Sequence, residues 1–296
     1  MKQIENIIWQ AKLVKKSNWL ESKKILSAGI EEFPADKRLY LELADLYFSK
    51  RIYKKAIETY QKYLAFEPLD DGVLFRIGNC FLSLNEFHLA LTYFHKVNDT
   101  FQELLYNKAY AYSKTGKHAL GIEVLKELIN FKVTSEVPFI FMAELYFAER
   151  KYDEAVKYLD MAENKFGKST NIFYLRGLAY SHKKQWLKAY VEFDYARKLK
   201  KRSSHFFRAF GIACEKVGKT DLAISYLLKS IKAAPRETTN YIELIHVYLS
   251  HNKLLEAKAI MNQAQSILPF SLTLSLLRDR IQRKIRLLET ERDHTV

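Results

Sequence analysis

Cysteine, proline and glycine are scarce in this 296-residue chain, which contains two, five and nine of them respectively. Two cysteines cannot form a disulfide framework. Linkers and low-complexity segments are enriched in glycine, serine or proline, and no stretch of this chain has that composition. A content of 48% hydrophobic and 28% charged residues is typical of an ordinary folded protein.

Motifs that bind phosphate, dinucleotides or catalytic metal are also absent: the chain has no GxxxxGK, GxGxxG, HExxH or paired CxxC pattern. His88 and His95 are seven residues apart, about two helical turns, which is poor geometry for a metal without further ligands. Adjacent carboxylates such as Asp70 and Asp71 fall at a predicted helix end. We therefore predict a protein that is not an enzyme, with no cofactor, no metal and no small-molecule substrate.

No membrane segment is predicted. Residues 259–277 carry no charge, but they contain Pro269 and several polar side chains, whereas a membrane-spanning helix needs about 20 predominantly apolar residues. The first ten residues contain neither an apolar stretch nor a small-residue cleavage site, so we expect no signal peptide. Together these absences predict a cytoplasmic protein.

The net charge of +14 is concentrated in the C-terminal third of the chain. Residues 197–296 contain 19 Lys or Arg and 9 Asp or Glu, whereas residues 1–196 contain 29 Lys or Arg and 25 Asp or Glu. The densest basic run is Arg197, Lys198, Lys200, Lys201 and Arg202. Cations at the end of a helix complement its macrodipole, which is one interpretation of this run. The other is contact with an acidic partner, either a protein tail, a nucleic acid or an anionic membrane.

Small and large residues recur with a period of 34 residues, apart from one step of 31 between the third and fourth copies. The small series is Ser22, Ala56, Ala90, Gly121, Ala155, Ala189, Ala223 and Ala257. The large apolar series, four positions later, is Leu26, Tyr60, Phe94, Leu125, Leu159, Phe193, Leu227 and Met261. A fixed period in this range indicates a stack of repeated units.

Each unit is predicted to be a pair of helices. In the second copy, apolar and small residues follow spacings of three and four on both sides of a short turn at 49–52. The two stripes are Tyr40, Leu43, Ala44 and Tyr47, then Tyr53, Ala56, Tyr60 and Tyr63. Proline cannot continue a helix, and four prolines stand at ends of copies, namely Pro34, Pro68, Pro235 and Pro269. Pro138 is expected in the first turn of a helix, where its missing N–H costs nothing.

The first helix of the pair supplies a second series of small residues. Its members are Ala44, Gly78, Ala109, Ala143, Gly177 and Gly211. Two helices approach to about 8 Å only where the contacting side chains are short. One pair cannot bury both of its apolar faces, so neighbouring copies must stack to form a continuous core.

This pattern resembles the tetratricopeptide repeat (TPR) family, whose units read aromatic-x2-Leu-small-x2-Tyr, then Ala-x3-aromatic, then Pro. The segment from Tyr40 to Tyr47, followed by Ala56, Tyr60 and Pro68, reproduces it. The RNA-binding pentatricopeptide relatives are not characterised by this combination. The resemblance implies an all-α, right-handed α-solenoid of about eight helix-turn-helix units plus a C-terminal capping helix. The predicted units are residues 3–36, 37–70, 71–101, 102–135, 136–169, 170–203, 204–237 and 238–271.

In such a stack the two cysteines lie far apart. Cys80 and Cys214 fall in first helices four copies from each other. Stacking would separate their Cα atoms by tens of ångströms, well beyond the limit of about 7 Å for a disulfide. We therefore predict that both are reduced and buried.

The resemblance also implies a function as a non-catalytic scaffold that binds a polypeptide segment of another protein in the concave groove formed by the first helices. The groove positions are Phe75, Arg76, Asn79, Tyr106, Asn107, Tyr110, Ile140, Phe141, Phe147, Tyr174 and Leu178. Contiguous apolar surface usually marks an interaction site, and Asn79 and Asn107 would hydrogen-bond the backbone of the partner. The alternative is that superhelical curvature buries these side chains against neighbouring repeats.

A clamp for the C-terminal tails of chaperones, known in some TPR proteins, is not expected. Asn79 and Asn107 match two positions of that clamp. However, Phe75, Val137 and Phe141 stand where its cationic side chains should be. Most of the positive charge that would hold a terminal carboxylate is therefore missing.

Residues 272–291 are predicted to form one more helix, followed by a tail at 292–296. Its apolar stripe is Leu274, Leu277, Ile281, Ile285 and Leu288, and its basic residues are Arg278, Arg280, Arg283, Lys284 and Arg286. One interpretation is a helix that caps the open face of the last unit. The other is a basic amphipathic helix that docks on anionic lipid or nucleic acid. The alternative function is therefore binding to nucleic acid or to an anionic membrane through the basic C-terminal third.

Overall fold

The computed structural model describes residues 2–293, without the side chains of Arg280 and of residues 284–293. Within that range it contains seventeen α-helices and no strand. Successive helices are joined by short turns into helix-turn-helix pairs. The predicted fold class, an all-α solenoid of helix-turn-helix units, is confirmed, while the handedness of its path stays a prediction.

The chain divides into two compact units, Met1–Thr134 and Ser135–Val296. The first unit contains four helical pairs, in which consecutive helices pack against each other. Its helices are α1 (Lys2–Val14), α2 (Trp19–Glu32), α3 (Lys37–Ser49), α4 (Tyr53–Leu64), α5 (Asp71–Ser83), α6 (Phe87–Phe94), α7 (Gln102–Lys114) and α8 (His118–Asn130).

The second unit contains four further pairs and a final helix. Its helices are α9 (Val137–Ala148), α10 (Tyr152–Phe166), α11 (Thr170–His182), α12 (Trp186–Lys198), α13 (Ser204–Lys216), α14 (Thr220–Ala233), α15 (Thr238–Ser250), α16 (Leu254–Ile267) and α17 (Leu272–Asp293). Pro138 lies in the first turn of α9, as predicted. The final helix packs on α16.

The turn inside seven of these pairs has one repeated geometry. A residue with positive φ ends the first helix, and the next N–H donates to a carbonyl five residues earlier, as for Ile52 and Tyr47 O (2.9 Å) and for Gln185 and Tyr180 O (2.8 Å). This bond satisfies a carbonyl that the helix end leaves unpaired. The residues with positive φ are Arg51, Asn85, Gly116, Arg150, Lys184, Gly218 and Asn252.

Side chains also connect consecutive pairs. The carboxylate of Asp70 accepts a hydrogen bond from the Val73 N–H (2.9 Å) and caps α5, and it accepts another from the Tyr63 hydroxyl of α4 (2.8 Å). Burial and this carboxylate raise the pKa of Tyr63 to about 12. One acidic residue therefore starts a new pair and holds the end of the preceding one.

The core confirms the two predicted series. All eight small residues of the second helices and all eight large residues that follow them are buried. The large residue of a second helix packs directly against the small residue of its first helix. A Cβ placed on Gly177 would lie 2.6 Å from Cε1 of Phe193, and one on Gly211 would lie 2.8 Å from Cγ of Leu227. The absence of a side chain is therefore required at these contacts.

The final helix covers the last pair with its predicted apolar stripe. Leu274, Leu277 and Ile281 are 0%, 8% and 2% exposed and join the core formed by α15 and α16. The described part of α17 therefore acts as a cap. Ile285 and Leu288 of the same predicted stripe lie outside the described side chains, as do the basic residues Arg280, Lys284 and Arg286.

Gly78→Ala tests the close contact between α5 and α6. The new methyl group would overlap the buried Phe94 ring. We expect the free energy of unfolding to fall by about 1–3 kcal/mol, measured by urea denaturation. Gly72→Ala is the matched control on the same helix, since its Cβ would approach only Asp70 Oδ1, at 3.3 Å. Equal effects of the two substitutions would contradict the interlocking account.

Candidate partner-binding surface

In the first unit, helices α5 and α7 present the predicted groove residues side by side. Phe75 and Asn79 come from α5, while Tyr106, Asn107 and Tyr110 come from α7; all five are half-buried. The Asn107 side-chain amide donates to Asn79 Oδ1 at 2.8 Å. The two asparagines therefore form one polar site between aromatic side chains. We call these five residues the α5–α7 surface.

The aromatic rings of this surface are partly used in packing. Phe75 makes an edge contact with Phe101 (4.9 Å between ring centroids) and a tilted contact with Phe94 (5.7 Å). Tyr110 lies edge-on to Phe87 at 6.1 Å, and the Lys114 ammonium is 5.3 Å from the Tyr110 ring. These contacts orient the rings, and the half-buried state leaves part of each ring accessible.

Arg76 has an intramolecular role. Its guanidinium pairs with the Asp45 carboxylate of α3 at 3.3 Å. The same carboxylate accepts a hydrogen bond from the buried Tyr60 hydroxyl at 2.5 Å. Burial, with this carboxylate, raises the pKa of Tyr60 well above its usual range. Arg76 therefore balances the charge of Asp45 over the core of the second pair.

In the second unit, α9 and α11 carry the remaining predicted groove residues. Ile140, Phe141, Phe147, Tyr174 and Leu178 are half-buried there. Rings of neighbouring helices lie against two of them: Tyr152 and His182 are 5.6 and 6.0 Å from Phe147, and Phe206 is 6.1 Å from Tyr174. Because these residues belong to a different unit from the α5–α7 surface, a single groove from the third to the sixth copy stays a prediction.

The basic run at the end of α12 is largely engaged within the protein. Arg197 and Lys198 pair with Asp194 at 2.7 and 2.9 Å. Lys201 donates to Asn171 Oδ1 at 2.9 Å, and Lys200 adopts a φ of +65° just after the helix. These positions agree with the helix-end interpretation of the run.

A buried arginine on α11 was not predicted from the sequence. Arg176 on α11 is 8% exposed and pairs with three carboxylates: Asp160 (2.5 Å) and Glu163 (2.7 Å) of α10, and Glu192 (2.9 Å) of α12. The sequence does contain a signal for this cluster, because the acidic residues Asp160 and Glu192 lie 16 positions before and after Arg176. A buried arginine needs such partners because burial without them is costly.

A buried asparagine was also missed. Asn240 is 0% exposed, and its side-chain amide donates to Ser204 Oγ at 2.9 Å and to Ser230 O at 3.1 Å. Arg208 donates to Asn240 Oδ1 at 3.2 Å. These bonds join α13, α14 and α15, and they satisfy a polar group that would otherwise destabilise the core.

The side chains considered for metal binding are occupied or dispersed. His88 is exposed on α6, and the His95 ring lies 2.9 Å from the Tyr112 hydroxyl. Among the side chains that the structure describes, no group of three or more His, Cys, Asp or Glu is placed to hold a metal ion. No helix in the described part of the chain is both long and apolar enough to cross a bilayer.

Comparisons with known proteins match one repeat family. Residues 13–72 and 102–132 match family models described as tetratricopeptide repeat. A TPR repeat-containing protein of Methanocaldococcus jannaschii is 25% identical over 223 residues, which cover 71% of this chain and 35% of the relative. This chain thus spans about a third of the length of that relative. Together with the helical pairs described above, these matches support a tetratricopeptide repeat protein.

Solved structures share the fold. The C-terminal part of a TPR repeat-containing protein from Cytophaga hutchinsonii has a TM-score of 0.62 at 22% identity, covering 78% of this chain and 96% of that one. A tetratricopeptide repeat protein from Parabacteroides merdae has a TM-score of 0.57 at 14% identity, covering 83% of this chain and 99% of that one. A chain of the APC/C hetero-tetramer Cut9–Hcn1 has a TM-score of 0.58 at 18% identity, covering 93% of this chain and 55% of that one. At these identities the likeness concerns the fold alone.

The two cysteines are buried and free, as predicted. Burial raises the pKa of the Cys80 thiol and of the Cys214 thiol to about 12. Since the thiolate is the reactive form, we expect almost no reaction with a disulfide-exchange reagent at pH 8 in the folded protein. Two thiols should react at once after denaturation. Rapid modification of either thiol under native conditions would contradict this account.

Replacing Arg176 with methionine tests the carboxylate cluster. Burial raises the pKa of Glu192, and the bond from Arg176 opposes part of that rise. Without the guanidinium, ionised Glu192 lies unpaired and half-buried, so we expect a loss of about 3 kcal/mol at pH 7. A raised folded pKa means that protonation favours the folded state. Part of the loss should therefore be recovered as the pH falls from 7 to 5.

Denaturation curves of the two proteins at several pH values provide the measurement. Arg202→Met is the matched control, because Arg202 is exposed and its side chain donates to the Lys201 carbonyl alone among the described residues. It should change stability by less than about 0.5 kcal/mol. A pH-independent loss in Arg176→Met would mean that packing, and not the unpaired charge, accounts for its effect.

Proposed function

We propose that this protein is a non-catalytic scaffold that binds a polypeptide segment of another protein on the inner face of its first helices. TPR proteins generally mediate protein–protein interactions, and their fold is typically a scaffold. The α5–α7 surface supplies the contact in the first unit, and the half-buried residues of α9 and α11 supply another in the second. A cytoplasmic location is part of this proposal and is supported by the two unpaired, buried cysteines.

The Asn79–Asn107 pair is the observation that carries the proposal. Their mutual bond uses one N–H of Asn107 and one lone pair of Asn79 Oδ1. The Asn79 NH2 group and the Asn107 oxygen make no other hydrogen bond with the described residues. The donor group of Asn79 and the acceptor oxygen of Asn107 thus lie side by side, which matches the C=O and N–H of an extended peptide.

The rings beside this pair complete the surface. Phe75 and Tyr110 are held by neighbouring aromatics and keep part of their area accessible. Aromatic side chains whose positions are set by packing lose little conformational entropy when a ligand binds. We therefore propose that the bound segment places apolar side chains against these rings while its backbone contacts the two asparagines.

A displayed library of extended peptides provides the test. We expect peptides enriched by the full chain to bind the double variant Asn79→Ala/Asn107→Ala roughly thirtyfold more weakly, because each lost hydrogen bond contributes about 1 kcal/mol. Fluorescence polarisation with the enriched peptides gives the affinities. Thermal melts establish that the variant is folded.

Asn130→Ala is the matched control, since Asn130 is an exposed asparagine at the end of α8 in the same unit. It should bind the peptides like the unmodified chain. Enriched peptides that bind the double variant with unchanged affinity would refute the role of the α5–α7 surface. Binding that falls steeply with salt and follows the charge of the ligand would instead favour an anionic partner on the basic C-terminal third.

A further inference from the structure

Helix α12 and the residue that caps its C-terminal end carry an exposed apolar stripe. Leu187 is 69% exposed, Val191 43%, Tyr195 42% and Leu199 42%. These residues are four apart and therefore share one side of the helix. From Leu187 to Leu199 the stripe is about 18 Å long, at a rise of about 1.5 Å per residue. We call these four residues the α12 stripe.

The neighbouring repeats fold with mostly polar side chains at these positions, although Tyr195 itself stacks on Phe173 of α11 at 5.2 Å between ring centroids. Helices α10 and α14 occupy the same place in the preceding and following pairs. At the positions of Leu187, Val191 and Tyr195 they carry Asp153, Lys157 and Met161, and Asp221, Ser225 and Lys229. Five of these six side chains are polar, so the repeat folds without apolar groups there. The α12 stripe is thus an addition to the repeat pattern that solubility would disfavour.

The segment that contains the α12 stripe is rich in positive charge. Residues 183–202 contain eight lysines or arginines and two carboxylates. Both carboxylates are engaged: Glu192 bonds to the buried Arg176, and Asp194 pairs with two cations at the end of the helix. The segment therefore keeps a large excess of positive charge.

This charge lies at both ends of the stripe. Lys184 and Lys188 are exposed at its beginning, and Lys200 and Arg202 are exposed just beyond its end. In the middle of the stripe, the residues that follow Val191 point to the core, such as Phe193, which is 0% exposed. The surface is apolar along its centre and cationic at its two ends.

We propose that the α12 stripe binds an amphipathic helix of another protein that has an apolar face and acidic residues in its first and last turns. Side chains four apart form a ridge that packs against the groove of a second helix. The length of the stripe corresponds to about three helical turns. Acidic terminal turns would lie beside the exposed cations, which supplies charge complementarity and orientation.

A lipid surface fits this geometry less well than a helix does. The adjacent second helices begin with exposed carboxylates, namely Asp153, which pairs with Lys183, and Asp221. An anionic bilayer is extended and would meet these carboxylates as well as the cations, whereas a single helix contacts only the narrow stripe. The proposal concerns α12, which is a second helix of the second unit. It is therefore independent of the α5–α7 surface.

The probe is a fluorescently labelled helical peptide of about sixteen residues, with leucine at helical spacing on one face and glutamate in its terminal turns. Its affinity for the full chain is compared with that for Leu187→Asp/Val191→Ser/Tyr195→Lys. This triple variant places on α12 the residues that α14 already carries. We expect binding to weaken by at least about tenfold in the triple variant, with an unchanged helical circular dichroism spectrum.

Two controls separate a specific site from general adhesion. Leu255→Asp removes an exposed leucine, 78% exposed, from the position on α16 that corresponds to Leu187, and it should leave binding unchanged. A peptide with lysine in place of each glutamate should bind at least about tenfold more weakly. The variant Lys184→Glu/Lys188→Glu should reverse this preference, and it provides an independent test should the triple variant fail to fold.

The outcomes that overturn the proposal are distinct. No binding of the acidic peptide, or equal binding by the triple variant, removes the α12 stripe as its site. Binding of phosphatidylserine vesicles that depends on the stripe would assign the surface to a membrane instead. Failure of the Asn79/Asn107 test has no bearing on these results, because different residues in a different unit are involved.

Discussion

One steric relationship between the two helices recurs in six of the eight pairs, whereas Gln10 and Ile245 take the place of the small residue in the first and last pairs. A small residue of the first helix accepts the large residue of the second, as Gly177 accepts Phe193 and Gly211 accepts Leu227. This contact sets how closely the helices approach, and the close approach buries the large side chains completely. Each pair still leaves an apolar face uncovered. Stacking with the next pair is favourable because it buries that face. The final helix α17 ends the series by covering such a face with Leu274, Leu277 and Ile281.

Connections between helices follow a second constraint, the pairing of backbone groups at helix ends. A residue of positive φ between the two helices directs the following N–H to a free carbonyl, and this geometry recurs with the period of the repeat. Glycine adopts that conformation most easily, yet arginine and lysine occupy it at Arg51, Arg150 and Lys184. The stacked helices on both sides hold these residues in a conformation that their own preferences disfavour. Tertiary packing thus outweighs a local preference of about 1 kcal/mol.

Function in this architecture depends on side chains that the packing leaves available. The repeat pattern uses the small and large series for the core, so the remaining positions of each helix are open to variation. On the first helices of the first unit these positions carry an amide pair between oriented aromatic rings. On α12 they carry apolar residues where adjacent repeats carry mostly polar ones. Comparison between repeats of one chain therefore separates residues needed for folding from residues that the repeat does not require.

Periodicity by itself determined the fold class, the helical pairing, the core residues from Ser22 to Met261 and the apolar face of the last helix, because those features depend on local spacing alone. It also placed Cys80 and Cys214 in the core. Only the tertiary structure showed that Arg176 balances three carboxylates from two other helices, that Asn107 donates to Asn79, and that Arg76 pairs with Asp45. Such contacts join residues from separate helices. They depend on the rotation of each helix about its axis and on side-chain reach, which a linear pattern does not specify.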